Sequence, residues 1–300
     1  MEVNQRPATA TWEAAFRTLP PKNHPNYRLW ANYSRFAPVR GSLVSDILSS
    51  FVAVDQARIL DLGCGDGGAA FALAAKGARL TALDFNPVRI QKLKQQTAAN
   101  DHDLTILTGD AHGLPFRTAT FDAVILQDVL EHLPHPEQAV AELARVLKPN
   151  GYVYLSTPNR WSPLNFLSDP HWNLPLLAAL PRKAVSFVVT KLVRRENLAR
   201  PDFAALLSLF RVRRMFHRTE FELQFLNRRI ARALFSRPTA VVNSDIHLKI
   251  VNGLKRLKLA KLVIQMVNDK FGLFNFVLNP TWYLIGKKRG SVWVEPGTKT

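Results

Sequence analysis

The sequence predicts an α/β protein built on a doubly wound, mostly parallel sheet, with a large helical insertion and a C-terminal antiparallel hairpin. Between residues 51 and 160, five short apolar segments alternate with helical segments, and this alternation is typical of right-handed βαβ units. A glycine-rich turn follows the first apolar segment. After Asn159 the alternation ends, and residues 161–270 are rich in leucine, arginine, phenylalanine and proline, which favours helix.

The elements can be placed in order along the chain. Residues 1–50 begin as a polar tail and end in one or two helices, with Leu43, Val44 and Ile47 at helical spacing. The five predicted strands are Arg58–Leu62, Arg79–Asp84, Leu104–Thr108, Phe121–Leu126 and Tyr152–Leu155. The helices between them are predicted over residues 67–76, 87–99 and 136–147. Two of these helices have a proline in their first turn, which that position accommodates.

Two apolar segments near the C-terminus predict the hairpin. Phe274–Leu278 and Trp282–Ile285 flank the pair Asn279-Pro280, which has turn chemistry. The expected units are an N-terminal tail with helices (residues 1–50), a sheet domain (residues 51–160 with 271–290) and a basic helical insertion that covers the substrate site (residues 161–270).

Composition excludes several classes of protein. Hydrophobic residues make up 47% and charged residues 21% of the 300 residues, which is ordinary for a globular protein. The single cysteine excludes an intramolecular disulfide and a cysteine-cluster metal site, and we expect no disulfide-linked partner. The longest uncharged apolar segment has 16 residues, whereas a spanning helix needs about 20. Since the first 30 residues also lack the apolar core of a signal peptide, we expect a cytoplasmic protein.

The net charge of +17 is unevenly distributed along the chain. Residues 1–160 contain 16 basic and 15 acidic residues, whereas residues 161–300 contain 24 basic and 8 acidic residues. Three interpretations of the basic half stay open: a solvated helical cap, a surface for anionic membranes or a lipid-like substrate, and a nucleic-acid surface. The last is less favoured because no nucleic-acid-binding module is recognisable. On a membrane, we expect Trp172, Phe216 and the leucines of residues 174–180 to insert shallowly.

The glycine-rich turn indicates a nucleoside cofactor. Gly63 and Gly65 allow a ligand to approach the backbone, and the following helix offers free N–H groups to an anionic group. Gly63, Gly65 and Gly68 also satisfy the dinucleotide fingerprint G-x-G-x-x-G. Asp84 lies 21 residues after Gly63 at the end of the next strand, where a carboxylate accepts hydrogen bonds from ribose hydroxyls. A dinucleotide therefore stays open as the cofactor of an oxidoreductase.

Further motifs distinguish a dinucleotide from other nucleoside cofactors. Asp61 lies inside the first strand, where a dinucleotide site usually has an apolar residue, and Gly109-Asp110-Ala111 follows the third strand. With Asp128-Val-Leu-Glu-His132 and the turn Lys148–Gly151, the set resembles the class I S-adenosylmethionine-dependent methyltransferases over about residues 55–160. Within that superfamily, Asp128–Leu133 and Leu155–Arg160 are most similar to the ubiquinone-biosynthesis O-methyltransferase group.

The resemblance implies a Rossmann-like methyltransferase sheet and S-adenosyl-L-methionine as the cofactor. The implied cofactor-binding residues are Asp61, Gly63, Cys64, Gly65, Gly67, Asp84, Phe85, Asp110, Ala111 and Gln127. Asp84 would hold the ribose, Asp110 and Ala111 would flank the adenine, and the glycine loop would line the methionine end. Gln127 departs from the family, which often has a hydrophobic residue there. Asp61 has an alternative role in orienting the loop without touching the ligand.

His132 is the candidate base that would remove a proton from the molecule that accepts the methyl group. A phenol has a pKa of about 10, and an imidazole with a pKa near neutrality suits the removal of its proton. Asp128, Glu131 and His132 have i, i+3, i+4 spacing and would share one helix face, where they could hold a divalent cation. The alternative is that Glu131 pairs locally and His132 packs beneath the insertion.

The sequence therefore predicts a methyltransferase that methylates an oxygen of a small or lipid-like hydroxylated acceptor. It would be cytoplasmic and peripherally associated with anionic membranes through its basic half. The alternatives are a nicotinamide-dinucleotide-dependent oxidoreductase and a nucleic-acid-binding or nucleic-acid-modifying protein.

Overall fold

The centre of the protein is a seven-stranded sheet. The computed structural model describes residues 22–23, 26–97, 104–193 and 204–290. The strands are β1 (Arg58–Leu62), β2 (Arg79–Asp84), β3 (Leu104–Thr108), β4 (Phe121–Gln127), β5 (Leu147–Pro158), β6 (Phe221–Phe225) and β7 (Thr281–Lys288). Their order across the sheet is β3-β2-β1-β4-β5-β7-β6. The first five run parallel, and β7 pairs antiparallel with both β5 and β6. The predicted doubly wound, mostly parallel sheet is confirmed.

Helices cover both faces of this sheet. The helices are α1 (Tyr27–Arg35), α2 (Ala37–Leu48), α3 (Gly68–Ala74), α4 (Pro87–Thr97), α5 (Pro136–Val146), α6 (Pro163–Leu167), α7 (Arg182–Phe187), α8 (Leu209–Arg218), α9 (Asn227–Ser236), α10 (Asp245–Arg256) and α11 (Ala260–Met266). Helices α5 and α8 share an apolar cluster on one face, and α2, α3, α4 and α9 share another on the opposite face. Because both faces are covered, the central strands are continuous apolar sequences rather than alternating ones.

Buried β1 carries one exception to that apolar character. Its residues from Ile59 to Leu62 are all buried, and Asp61 is 3% exposed. Burial of a carboxylate in a central strand destabilises the folded protein unless the group is hydrogen-bonded or paired with a cation. Its position near the carboxyl end of β1 puts it beside the glycine-rich turn.

The antiparallel pair at the C-terminal end of the sheet differs from the predicted hairpin. Phe274–Leu278 is a π-helical turn rather than a strand. The strand beside β7 is β6, which lies inside the range predicted as the helical insertion. The predicted first strand is wrong because Asn275, not the apolar residues around it, faces the interior, while Phe276 and Leu278 are exposed. The division into three units stays a prediction.

The residues after β5 form a small second core with the N-terminal helix. Trp172, Leu177, Val185 and Val189 pack together, and Trp30 of α1 packs against them. The expectation that Trp172 and Phe216 insert into a membrane is wrong, since both side chains are buried in apolar clusters. Among the described residues, none of the helices has both the length and the apolar composition to span a bilayer.

Candidate functional site

The turn after β1 is shaped by three glycines. Gly63, Gly65 and Gly67 have φ values of 74°, 54° and 74°, a region that favours glycine. A Cβ on Gly63 would lie 2.4 Å from a methyl group of Val129, and one on Gly67 would lie 2.3 Å from a methyl group of Leu93. The loop therefore needs glycine for its backbone angles and for close packing, while the predicted approach of a ligand to Gly63 and Gly65 stays a prediction.

Asp84 is held against this loop by backbone hydrogen bonds. Its Oδ2 accepts the N–H of Gly65 at 2.9 Å, and its Oδ1 accepts the N–H of Asn86 at 2.8 Å. Each carboxylate oxygen keeps a second lone pair for a further donor. The side chain lies at the carboxyl end of β2, next to the exposed ring of Phe85. This geometry fits a carboxylate that binds vicinal hydroxyls.

Asp61 presents a buried carboxylate with an unused oxygen. The backbone N–H of Ala70 is close enough to lower the pKa of this carboxyl, whereas Oδ2 has no hydrogen-bond partner among the described residues. Burial, and then the nearby charge of Asp84, raise the pKa of Asp61 to about 7. An unpaired buried acceptor is destabilising, so this oxygen favours a ligand that brings a donor, above all a cationic one.

The remaining predicted cofactor residues lie along the same edge of the sheet. Cys64 is buried between two glycines, which agrees with a small packing residue. Asp110 follows β3, is exposed, and accepts a hydrogen bond from the backbone N–H of His112 at 3.0 Å. Ala111 beside it is buried, and Gln127 is the last residue of β4. The structure therefore brings all the predicted positions to the carboxyl ends of the parallel strands, and their roles stay predictions.

Two residues that sequence reasoning missed reach this edge from the N-terminal helices. The hydroxyl of Tyr33 on α1 donates to Oδ2 of Asp128 at 3.1 Å. The guanidinium of Arg40 on α2 lies 3.7 Å from the centre of the Tyr33 ring and donates to its backbone carbonyl at 2.7 Å. An aromatic-rich segment before the first strand is only a weak signal of this contact.

Both carboxylate oxygens of Asp128 accept hydrogen bonds from side-chain hydroxyls. Its φ is 53°, and its Oδ1 accepts the hydroxyl of Ser156 at 2.7 Å. The prediction that Asp128, Glu131 and His132 share one helix face is wrong. The left-handed backbone at Asp128 breaks the helix, and only Leu130–His132 form a single 3₁₀ turn.

Glu131 and His132 instead form a cluster with His171. Glu131 is fully buried, its Oε2 accepts the hydroxyl of Thr157 at 2.9 Å, and its Oε1 lies 3.9 Å from Nε2 of His171. The rings of His132 and His171 are edge to face, with centroids 4.9 Å apart. Ligand atoms of these three side chains lie within 4.8 Å of one another. The third member of the candidate cation cluster is therefore His171 rather than the predicted Asp128.

The backbone of this turn is held by an arginine of the insertion. The guanidinium of Arg182 donates to the carbonyl oxygens of Glu131, His132 and Leu133 at 2.9, 2.7 and 2.8 Å. On the other side, the indole N–H of Trp30 donates to the carbonyl oxygen of His171 at 3.1 Å. Helix α1 and the insertion therefore meet over the site and fix both histidines.

Comparison with known proteins shows which domains and folds this chain is similar to. Residues 60–155 match the family model of a methyltransferase domain. The folds of an S-adenosylmethionine-dependent methyltransferase from Mesorhizobium loti (TM-score 0.52, 15% identity, 81% of this chain and 96% of that one) and another from Methanosarcina mazei (TM-score 0.50, 19% identity, 81% and 97%) are similar. Residues 60–155 are therefore similar to methyltransferase domains, and the fold is shared with solved S-adenosylmethionine-dependent methyltransferases.

Curated proteins with similar sequences share one name. The ubiquinone biosynthesis O-methyltransferase of Dechloromonas aromatica is 32% identical over 147 residues, which cover 47% of this chain and 62% of that protein. The protein of the same name from Xylella fastidiosa strain M23 is 37% identical over 117 residues, 38% of this chain and 47% of that protein. The chain thus spans about half the length of the curated relatives it matches.

Proposed function

We propose that this chain transfers a methyl group from S-adenosyl-L-methionine to a hydroxyl oxygen of a small or lipid-like acceptor. The observation that carries the proposal is the joint arrangement of the glycine loop, the oriented carboxylate of Asp84 and the unpaired buried oxygen of Asp61. Because Asp61 is a carboxylate where a dinucleotide site usually has an apolar residue, the arrangement favours this cofactor over a nicotinamide dinucleotide.

The residues present suit the cofactor. Asp84 would accept the ribose hydroxyls, Asp110 and Ala111 would flank the adenine, and Asp61 with the loop of Gly63–Gly67 would receive the methionine end. When bound, the cofactor supplies an electrophilic methyl group on a sulfonium, so the hard chemistry is its own. The protein has to hold the acceptor oxygen in line with that methyl group and exclude water.

On the acceptor side, we propose His132 as the general base. Its ring lies just past β4, and its backbone is held by Arg182. The imidazole would take the proton of the acceptor hydroxyl as the oxygen attacks. Glu131 is buried against the same turn and His171 packs on the ring, so the imidazole keeps one orientation. A divalent cation held by this cluster is the competing role for His132.

The lipid-like acceptor is supported by the names of the curated relatives, which act in ubiquinone biosynthesis, and by the basic C-terminal half. We infer that such an acceptor reaches the site from an anionic membrane surface, which attracts basic residues.

Two measurements test the proposal. Calorimetry should show binding of S-adenosylmethionine and its demethylated product but not of a nicotinamide dinucleotide. Asp84→Ala should weaken cofactor binding at least about tenfold, because hydrogen bonds to a charged group are lost. Binding of the dinucleotide alone would overturn the proposal. Untargeted mass spectrometry of a lipid extract incubated with protein and cofactor should then reveal a product heavier by one methylene.

A further inference from the structure

Two segments near the carboxyl end of β5 have large apolar side chains that are exposed to solvent. The first runs from residue 161 to 176 and the second from 271 to 278. Five leucines in these segments are more than half exposed: Leu164, Leu167, Leu176, Leu273 and Leu278. Trp161, Phe271 and Phe276 are exposed as well. Contiguous exposed apolar surface of this kind marks interaction sites.

The two segments form one continuous surface, called here the apolar face. Helix α6 packs against the π-helical turn Phe274–Leu278. The side-chain amide of Asn159 donates to the carbonyl oxygen of Phe276 at 3.2 Å, and that of Asn165 donates to the carbonyl oxygen of Pro280 at 2.7 Å. Leu176 joins the same surface, since its N–H donates to the carbonyl of Phe166 at 2.7 Å.

The exposed side chains stand on a fixed backbone. Asn275 is fully buried beneath them, and its amide donates to the carbonyl oxygen of Lys270 at 2.8 Å. Its Oδ1 accepts the amide of Asn227 at 2.7 Å, and its carbonyl accepts the indole N–H of Trp282 at 2.7 Å. Because the polar groups of this segment point inward and are satisfied, the leucines are held outward by the fold itself.

The stretches of chain that contain the apolar face are rich in basic residues. Residues 246–278 contain six basic residues and one acidic residue, and residues 160–193 contain four and one. Both acidic residues are engaged within the protein: Asp169 is buried and accepts the N–H of His171, and Asp269 accepts the N–H of Arg228. Both stretches therefore have a positive net charge.

Helix α10 repeats the combination of exposed apolar and basic residues. Only Val251 of this helix is buried. Ile246, Ile250 and Leu257 are exposed and fall within about 40° of one another at 100° per residue. Lys249 and Arg256 lie at one border of this stripe. A basic helix with an apolar stripe is the pattern of helices that lie in the interface of anionic membranes.

We propose that the apolar face docks on an anionic lipid bilayer. Leu167, Leu273 and Leu278 enter the interfacial region, and the basic residues of α10 and α11 stay among the head groups. Ser156 and Thr157, which bind Asp128 and Glu131, lie a few residues before Asn159, which anchors this face. Docking therefore places the site beside the bilayer. The inference takes its purpose from the proposed lipid-like acceptor, and its test requires neither cofactor nor acceptor.

The test is flotation of the purified full chain with vesicles of phosphatidylcholine alone or with phosphatidylglycerol, at low and high salt. We expect binding to anionic vesicles at low salt that weakens in about 1 M salt, where the Debye length falls to about 3 Å. The double variant Leu273→Glu/Leu278→Glu should lower partitioning about tenfold or more. The matched control Gln91→Glu/Gln95→Glu adds the same charge on exposed α4 and should bind almost as the parent chain does.

Several outcomes would overturn the inference. One is absence of flotation with anionic vesicles at low salt. Another is equal binding by the leucine double variant and the control, provided that both have the circular dichroism and unfolding midpoint of the parent chain. Tighter binding to duplex DNA than to anionic vesicles would assign the charge to nucleic acid instead. Self-association that the leucine substitutions abolish, without vesicle binding, would assign the face to a second copy. If cofactor binding fails while flotation succeeds, only the proposed function is lost.

Discussion

The phenol oxygen of Tyr33 lies 3.1 Å from Oδ2 of Asp128, which joins the N-terminal helix to the end of the fourth strand. Asp128 is also bound by Ser156 at 2.7 Å, so the carboxylate links α1, β4 and β5. A helix that precedes the first strand of the sheet therefore reaches the candidate site. The integrity of the site should then depend on a residue that no cofactor motif contains.

Tyr33→Phe removes that link without changing the volume of the ring. Burial, and next the charge of Asp128, raise the pKa of Tyr33 well above its usual value, so the phenol stays a donor across the working pH range. A hydrogen bond to a charged group is worth about 1.5–3 kcal/mol, and we expect turnover to fall about tenfold or more at every pH between 6 and 9. Steady-state kinetics checks this. Tyr27→Phe on the same helix is the control, and equal turnover by the two variants would show that the link has no role in the reaction.

Cofactor binding should depend on the protonation of Asp61. Its pKa of about 7 in the free protein results from burial first and from Asp84 second. The ionised carboxylate receives a cationic ligand, so binding is tight above that pH and weakens by up to about tenfold per pH unit below it. Calorimetry from pH 5.5 to 8.5 with S-adenosylhomocysteine measures this slope. Asp61→Asn should bind more weakly at pH 8 and show a flatter profile. An unchanged slope in this variant would assign the pH dependence to another group.

Arg182→Ala should disorganise the turn that carries Glu131 and His132. Three carbonyl oxygens would lose a charged donor, and we expect the free energy of unfolding to fall by about 2 kcal/mol. Arg182→Lys should recover only part of it, because an ammonium lacks the planar fork. Urea unfolding measures the loss. Lys183→Ala, an exposed neighbour, serves as the control, and a similar loss in both alanine variants would contradict a specific role for the guanidinium.

The cofactor edge could be predicted from the sequence because its signals are local. Gly63, Gly65 and Asp84 belong to a strand, a turn and the next strand, and their spacing alone brings them together. The apolar segments of β1 to β5 are likewise continuous and punctuated by turns. Each of these features depends on neighbours within about thirty residues.

The acceptor side could not be predicted because it depends on distant contacts. Tyr33 and Asp128 are 95 residues apart, and His171 meets Glu131 through a loop of the insertion. Strand β6 alternates apolar and polar residues, but its five residues lie in a basic helical context that obscures the pattern. The segment Phe274–Leu278 has the spacing of a strand, yet the side chain of Asn275 inside it is buried and hydrogen-bonded to Asn227 and Lys270.

Base catalysis and metal binding by His132 predict different experimental results. If the imidazole takes the acceptor proton, His132→Ala should lower turnover by about 100-fold or more, while cofactor affinity changes less than about twofold because the loop of Gly63–Gly67 is untouched. If the cluster of Glu131, His132 and His171 acts without a cation, activity should survive dialysis against a chelator. Turnover assays on the variant, and on the parent chain with and without chelation, decide the matter. Loss of activity on chelation and its recovery with a divalent cation would show that Glu131, His132 and His171 hold a metal instead.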